Sequence, residues 1–463
     1  MSETPSVPTD PPKPREAKFT TGSTMRHVVV MTLTSSVGLM AIFLVDFADM
    51  YFLSILGENE VAGAIGFSGA IIFINLSIGI GLSISITALV AQALGAGKEG
   101  RAQRLAASTL LFAFLFTSLV TLFLWIFTTP ILTLLGAKGE TLKIAESYLR
   151  IVIPSFPLLG IGICLSGILR ALGDAKRAMY VTLSGGVTNA VLDPILIFTA
   201  GLGVEGAAIA SVCARVAIVI IGTHGAHHVH GFLIMPSFAA LKRHLKPILS
   251  IALPAMATQI ATPVGNAYVT YAMAPYGPGA VAALAVIGRI VPVAFGVVFS
   301  LSGAVGPIIG QNFGAKRFGR IKQTYYDAVK FGGVYVCFTA ALLFILRDYI
   351  ALAFNASDQS AYLISFFCTF IGVSWLFAGL QFVSNAAFNN LGRAHYSTLF
   401  NWGKSTIGTI PFVIGGASLW GAPGVLAGQA VGHVIFGLAA FMAGRQLISK
   451  LARSCAAYAP RGR

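Results

Sequence analysis

The stretch AQALGAGKEGRAQR, residues 91–104, returns as GQNFGAKRFGRIKQ at residues 310–323, so that Gln92, Gly95, Ala96, Gly100 and Arg101 recur as Gln311, Gly314, Ala315, Gly319 and Arg320. The offset is 219 residues. Working outward, RALGDAKRAM at 170–179 is matched at the same offset by NNLGRAHYST at 389–398, through Leu172, Gly173 and Ala175 against Leu391, Gly392 and Ala394. With one residue of slack, Gly203 and Gly206 correspond to Gly421 and Gly424. A register held over about half the chain means two homologous halves, the pattern of a two-lobed membrane transporter.

Composition allows little else. With 56% apolar residues, 10% charged residues and 33 Phe, the chain cannot cover a water-facing surface, and lipid is its solvent. Its 20 Pro and 51 Gly suit spanning helices, where both are commoner than in soluble ones. A spanning helix needs about 20 apolar residues. Twelve such runs are found, at 27–56, 61–93, 105–134, 142–171, 178–200, 205–231, 245–275, 280–311, 326–354, 361–391, 396–420 and 423–447. The expected fold is therefore an all-α integral membrane protein of twelve transmembrane helices in two six-helix lobes. Six helices per lobe give both lobes the same orientation, related by a pseudo-twofold axis along the membrane normal. The division expected is a disordered tail at 1–26, a first lobe at 27–231, a linker at 232–244, a second lobe at 245–447 and a tail at 448–463.

The net charge of +15 is distributed by loop. Lys98, Arg101 and Arg104; Arg170, Lys176 and Arg177; Lys242, Arg243 and Lys246; Lys316, Arg317, Arg320 and Lys322; and Arg445, Lys450 and Arg453 occupy alternate connections. The others hold Glu58, Glu60, Glu205 and Asp358, with Lys138 and Lys143 as exceptions. Alternation with the spans places both termini in the cytoplasm of a multi-pass inner-membrane protein, and argues against nucleic acid as a partner. The start of the chain is not a cleavable signal, because the first apolar run is of full spanning length. Five cysteines, four of them within predicted spans, read as small apolar packers without disulfides. His224, His227, His228 and His230 read as a solvated linker segment in preference to a metal tract.

Ionisable residues deep in a span are functional candidates. These are Asp46 and Asp49 in the first run, Asp193 in the fifth, Arg215 in the sixth and Arg289 in the eighth, with Lys404 nearer an end of the eleventh. All three acids lie in the first lobe. Counting from the outer turns, Asp49, Asp193 and Ser211 sit at one level, roughly 12 to 14 Å below the outer end. Asn189 precedes Asp193 by four residues and shares its helix face. Asp49, Asn189, Asp193 and Ser211 can thus converge on one polar cavity. Their oxygens can hold Na⁺, and two adjacent carboxylates can instead hold a proton. Asp46 and Arg215 form a candidate structural ion pair. Gln259, Asn266, Tyr268, Arg289, Gln381 and Asn385 make up the second lobe's candidate substrate cavity. Pro254, Pro263 and Pro292 are expected to interrupt the seventh and eighth helices, while the first helix holds no proline.

Together, ADMYFLSILG (48–57), AQALGAGK (91–98), GILRALGDAKRAM (167–179), TNAVLDP (188–194) and GQNFGAKR (310–317) resemble motifs of the multidrug and toxic compound extrusion (MATE) family. The likeness extends over 27–447. The acids confined to the first lobe resemble the DinF branch of that family. The resemblance implies a secondary antiporter that exports small amphipathic organic cations and is driven by H⁺ or Na⁺. A two-carboxylate site that can titrate and the positive charge of Arg215 favour H⁺, and a monomer without a cofactor is expected. The resemblance also implies that Asp49 and Asp193 are the coupling acids, with Asn189 beside them and Ser211 where a Thr is often found. Alternatives left open are a flippase for lipid-linked oligosaccharide or peptidoglycan precursors, and, from other classes, a membrane-embedded transferase or a non-transporting sensor.

Overall fold

The computed structural model describes residues 17–55 and 59–458, with side chains described except at 46–55, 59, 62 and 456–458. Among the described residues the regular elements are all helices, with no strand. In chain order the helices are α1 (Thr24–Ile55), α2 (Asn59–Gly95), α3 (Glu99–Ile126), α4 (Thr128–Leu134), α5 (Gly139–Val152), α6 (Phe156–Ala171), α7 (Ala175–Pro194) and α8 (Gly203–Thr223). The second half follows with α9 (Phe238–Met273), α10 (Pro278–Ala294), α11 (Gly296–Gly314), α12 (Phe318–Ala353), α13 (Asp358–Phe366), α14 (Trp375–Asn390), α15 (Ala394–Ser405), α16 (Ile410–Trp420) and α17 (Ala422–Tyr458).

The twelve apolar runs map onto these elements one by one. Ten are helical segments long and apolar enough to span a membrane, and an eleventh is the pair α10 and α11, bent by 46°. The remaining run, 396–420, is divided into α15 and α16 by a turn at 406–409. Lipid-facing positions carry the bulky apolar side chains that water would reject, such as Leu119, Phe338 and Leu419, each more than half exposed. Small residues take the helix contacts. A Cβ added to Gly416 or Gly424 would strike the other's main chain, which explains how closely α16 and α17 pack.

Several expected boundaries move. Residues 17–26, assigned to a disordered tail, are ordered. Lys18–Thr20 form a 3₁₀ turn, and Phe19 is buried. The seventh helix starts at Phe238, inside the expected linker, and α17 runs on to Tyr458, through most of the expected tail. The His224–Val229 segment is a π-helical extension of α8 instead of a linker, with His224, His227 and His228 exposed on it as the solvated reading expects. Pro254 and Pro263 lie inside an unbroken α9. Neighbouring side chains bond its carbonyls, with Thr258 and Thr398 hydroxyls on that of Pro254 at 2.8 and 2.7 Å and the Trp402 indole on that of Ala257 at 2.9 Å. Pro292 does precede a break, the bend after Ala294.

The repeat becomes physical where the lobes meet. Gln92 Nε2 donates to the Asn390 carbonyl at 2.9 Å, and Gln311 Nε2 donates to the Ala171 carbonyl at 2.8 Å. Both donors and both acceptors are related by the 219-residue offset, so each lobe bonds the other through the same pair. A Cβ on Gly95 would overlap the Gln311 carbonyl oxygen, and one on Gly314 the Gln92 carbonyl oxygen, so only glycine permits this approach. The N-terminal 3₁₀ turn is clasped over the junction. Phe19 N–H donates to Gln311 Oε1 at 2.8 Å, Asn312 and Arg320 donate to its carbonyl, and Lys18 Nζ reaches the Gly173 carbonyl at 2.8 Å. The hydrogen bonds that Thr24, Ser85, Gln92, Ser108, Gln311 and Arg317 make between lobes lie toward the end of the bundle that carries the basic loops.

At the same end, Asp174 caps α7. Its carboxylate accepts the Arg177 backbone N–H at 3.1 Å, Arg177 Nη1 at 2.6 Å and His230 Nε2 at 2.8 Å. Burial alone pushes the carboxyl pKa up, but hydrogen bonds from Arg177 and His230 outweigh it and hold the pKa below the ordinary aspartate value. A depressed folded-state pKa contributes stability above the ordinary carboxylate range and loses it as pH falls through the depressed value. Asp174→Ala is therefore expected to cost about 1 kcal/mol at neutral pH. Melting of the purified protein against pH should show the two proteins converging as the medium turns acid below about pH 4.

Candidate functional site

The first lobe's polar site is built on α7 and α8, which pack along one another, with α1 against α7. Asp193 occupies the last turn of α7, just before Pro194, and is 1% exposed. Asn189, also buried, lies one turn back on the same face and donates from Nδ2 to Asp193 Oδ2 at 2.8 Å. A carboxylate only accepts hydrogen bonds, so the amide turns its nitrogen toward the acid and supports the charged form. Ser211 is half-buried on α8. Asp46 and Asp49 belong to α1, but their side chains lie outside the described residues, so the expected pairing of Asp46 with Arg215 does too. A buried acid holding an amide inside a membrane bundle can bind and release a cation, and its charge is cancelled when it does.

Arg215 is buried on α8, one turn from Ser211. Its Nη1 donates to the Val152 carbonyl at 2.9 Å and to the Ser155 hydroxyl, and its guanidinium lies 5.1 Å from the Phe156 ring centroid. These partners sit where Pro154 and Pro157 interrupt the fourth span between α5 and α6. Proline frees carbonyls there, and the arginine closes one of them. Sequence alone misses this because the partner is main chain.

In the second lobe, a cavity of about 380 Å³ opens among α9, α10, α11, α14, α15 and α17. Of the six residues expected to form the substrate cavity, Asn266 lines it. Gln259 and Tyr268 are half-buried on α9, and Arg289 is exposed on α10. Gln381 is buried within α14, and Asn385 is tied at 3.2 Å to the amide of Asn401 on α15. The cavity instead holds Lys404 and His433 beside Phe299, Trp375 and Phe382. The available signal for these was that Lys404 and His433 are titratable groups within apolar runs. Among the described residues no group of three or more His, Cys, Asp or Glu is placed to hold a metal ion.

Comparison with known proteins places these features in a family. The MatE family model matches twice, at residues 34–195 and 254–414, one match in each half of the duplication. An FAD transporter of Shewanella oneidensis is 26% identical over 90% of this chain and 93% of its own length. The multidrug export protein MepA of Staphylococcus aureus is 23% identical, over 92% of this chain and 94% of its own. The solved structure of a MATE transporter from Vibrio cholerae superposes with a TM-score of 0.87 at 24% identity, covering 92% of this chain and 97% of that one. A MOP superfamily transporter from Pyrococcus furiosus gives the same TM-score at 22% identity, covering 94% and 98%. With the matched model spanning well over half the chain, and the fold shared along its length, the protein is a multi-pass membrane transporter that belongs to the MatE (multidrug and toxic compound extrusion) family.

Proposed function

We propose that this chain is an ion-coupled antiporter of the bacterial inner membrane, of the DinF-like branch, that exports small amphipathic organic cations by alternating access. The observation that carries the reading is Asp193, buried in the first lobe with the Asn189 amide on it, in a molecule whose lobes are hydrogen-bonded at the end that carries the basic loops. The basic loops make that end cytoplasmic by the positive-inside rule, and a closed cytoplasmic end belongs to an outward-facing arrangement. A proton, in preference to Na⁺, enters from outside and binds at Asp193 with Asp49, Asn189 and Ser211. It cancels a buried charge and so stabilises one lobe arrangement over the other, which is the differential that coupling requires. The likeness to a multidrug exporter and to an FAD transporter supports export of flat aromatic compounds. The flippase alternative relies on several basic residues lining the cavity; Arg215 is committed to the break between α5 and α6, and Lys404 and His433 line the second-lobe cavity. The chain is proposed to act as a monomer without a cofactor.

The test is efflux of a fluorescent organic cation from proteoliposomes under an imposed pH gradient and, separately, an imposed Na⁺ gradient. Efflux driven by the pH gradient alone is the expected result. Efflux driven by neither gradient would remove the antiporter reading.

A further inference from the structure

The second-lobe cavity differs in charge from the first lobe's site although both are built on corresponding helices. Moved back by 219 residues, Lys404 falls on Gly185 of α7, and moved back by the 218 that relates Gly203 and Gly206 to Gly421 and Gly424, His433 falls on Arg215 of α8; these two helices carry Asp193 and Ser211. Where the first lobe places an acid, the second places bases. Among the described residues the lining contains Lys404 and His433 and no Asp or Glu. The Lys404 amine makes no hydrogen bond or ion pair with any described residue, and His433 Nδ1 is enclosed without a hydrogen-bond partner among them. The lysine is held in position. It ends α15 at the break, where the Thr409 hydroxyl bonds its carbonyl at 2.8 Å.

Aromatic rings complete the wall. Trp375 meets Phe299 edge-on at 5.4 Å, Phe299 meets Phe382 at 5.5 Å, and the His433 ring lies 5.7 Å from Trp375. Lys404 is half-buried against this apolar wall, where an ammonium group gains from a counter-charge. A bound anion supplies that charge, whereas an organic cation in the same space adds repulsion. We infer that this cavity is a binding site for an aromatic anion, a flat ring carrying a sulfonate, carboxylate or phosphate, with Lys404 as the counter-charge and Phe299, Trp375 and Phe382 as the ring's contact surface. The site is distinct from the first-lobe ion site. Binding there needs no gradient, so this inference and the antiporter reading fail on different measurements.

The experiment is equilibrium dialysis of the full-length protein in nanodiscs, with empty discs as blank, against 2-naphthalenesulfonate and against 2-naphthyltrimethylammonium, which share one ring system and differ in charge. The wild type is expected to bind one sulfonate per chain and to bind it more tightly than the ammonium compound. Lys404→Gln is expected to weaken the sulfonate by about 10-fold or more, the range of a charge-assisted contact. Lys404→Arg keeps the binding. Equal sulfonate affinity in wild type and Lys404→Gln would overturn the inference. So would tighter binding of the ammonium compound by the wild type, a comparison that requires no variant to fold.

Discussion

Gly314→Ala is expected to fold normally and to lose gradient-driven efflux by about 100-fold or more. The new methyl would occupy the position of the Gln92 carbonyl oxygen. Both are fixed to helix backbone, so neither a rotamer change nor a small shift relieves the overlap, and α2 must separate from α11. Overpacking of this kind costs about 1–3 kcal/mol. Separation also removes the reciprocal Gln92 and Gln311 hydrogen bonds, each worth about 0.5–1.5 kcal/mol net. The sum is enough to depopulate the arrangement that is closed at the basic end. Within the helix itself alanine is a better former than glycine, so the fold should not suffer. The measurement pairs efflux with labelling of a cysteine placed beside the seal, which should become reactive from the cytoplasmic side. Gly319→Ala is the control, since nothing lies within 4 Å of a Cβ there. If Gly314→Ala transported at the wild-type rate, the closed seal would have no part in the cycle.

Asp193→Asn is the second large effect. The carboxamide matches the carboxylate in shape but cannot gain or lose a proton and binds Na⁺ less well. One cavity wall then keeps the same charge throughout the cycle, and the two lobe arrangements no longer differ in their response to the gradient. Uphill efflux should fall by about 100-fold or more, while exchange of substrate at equal concentrations on both sides persists. Wild-type efflux should depend on the imposed gradient, and the residual activity of the variant should not. Full retention of gradient dependence would take Asp193 out of coupling and leave Asp49 to account for it.

Much of this was legible in the sequence because the lipid solvent simplifies the problem. The twelve apolar runs, the duplication and the contact of Asn189 with Asp193 all follow from local spacing. What escaped was tertiary. Arg215 found a carbonyl exposed by proline in another span, and a carbonyl leaves no mark on residue identity. The order at Lys18–Thr20 depends on Gln311, Asn312 and Arg320, nearly three hundred residues away, while the local composition is that of a tail. The Pro254 and Pro263 positions read as breaks by propensity, yet both lie inside an unbroken α9. Lys404 was visible as a titratable residue in an apolar run, but which cavity it serves depends on where α15 stops.

The seal between the lobes uses side-chain amides on main-chain carbonyls, with two glycines pressed against backbone. None of these amides and glycines changes its charge with pH or competes for Na⁺, whereas Asp327 and His244, which bond Thr24 and Ser108 across the same junction, are titratable. Under the proposed coupling the amide contacts act as a spring of fixed stiffness. A change of driving ion would then call for rebuilding the ionisable groups and would leave that stiffness as it is.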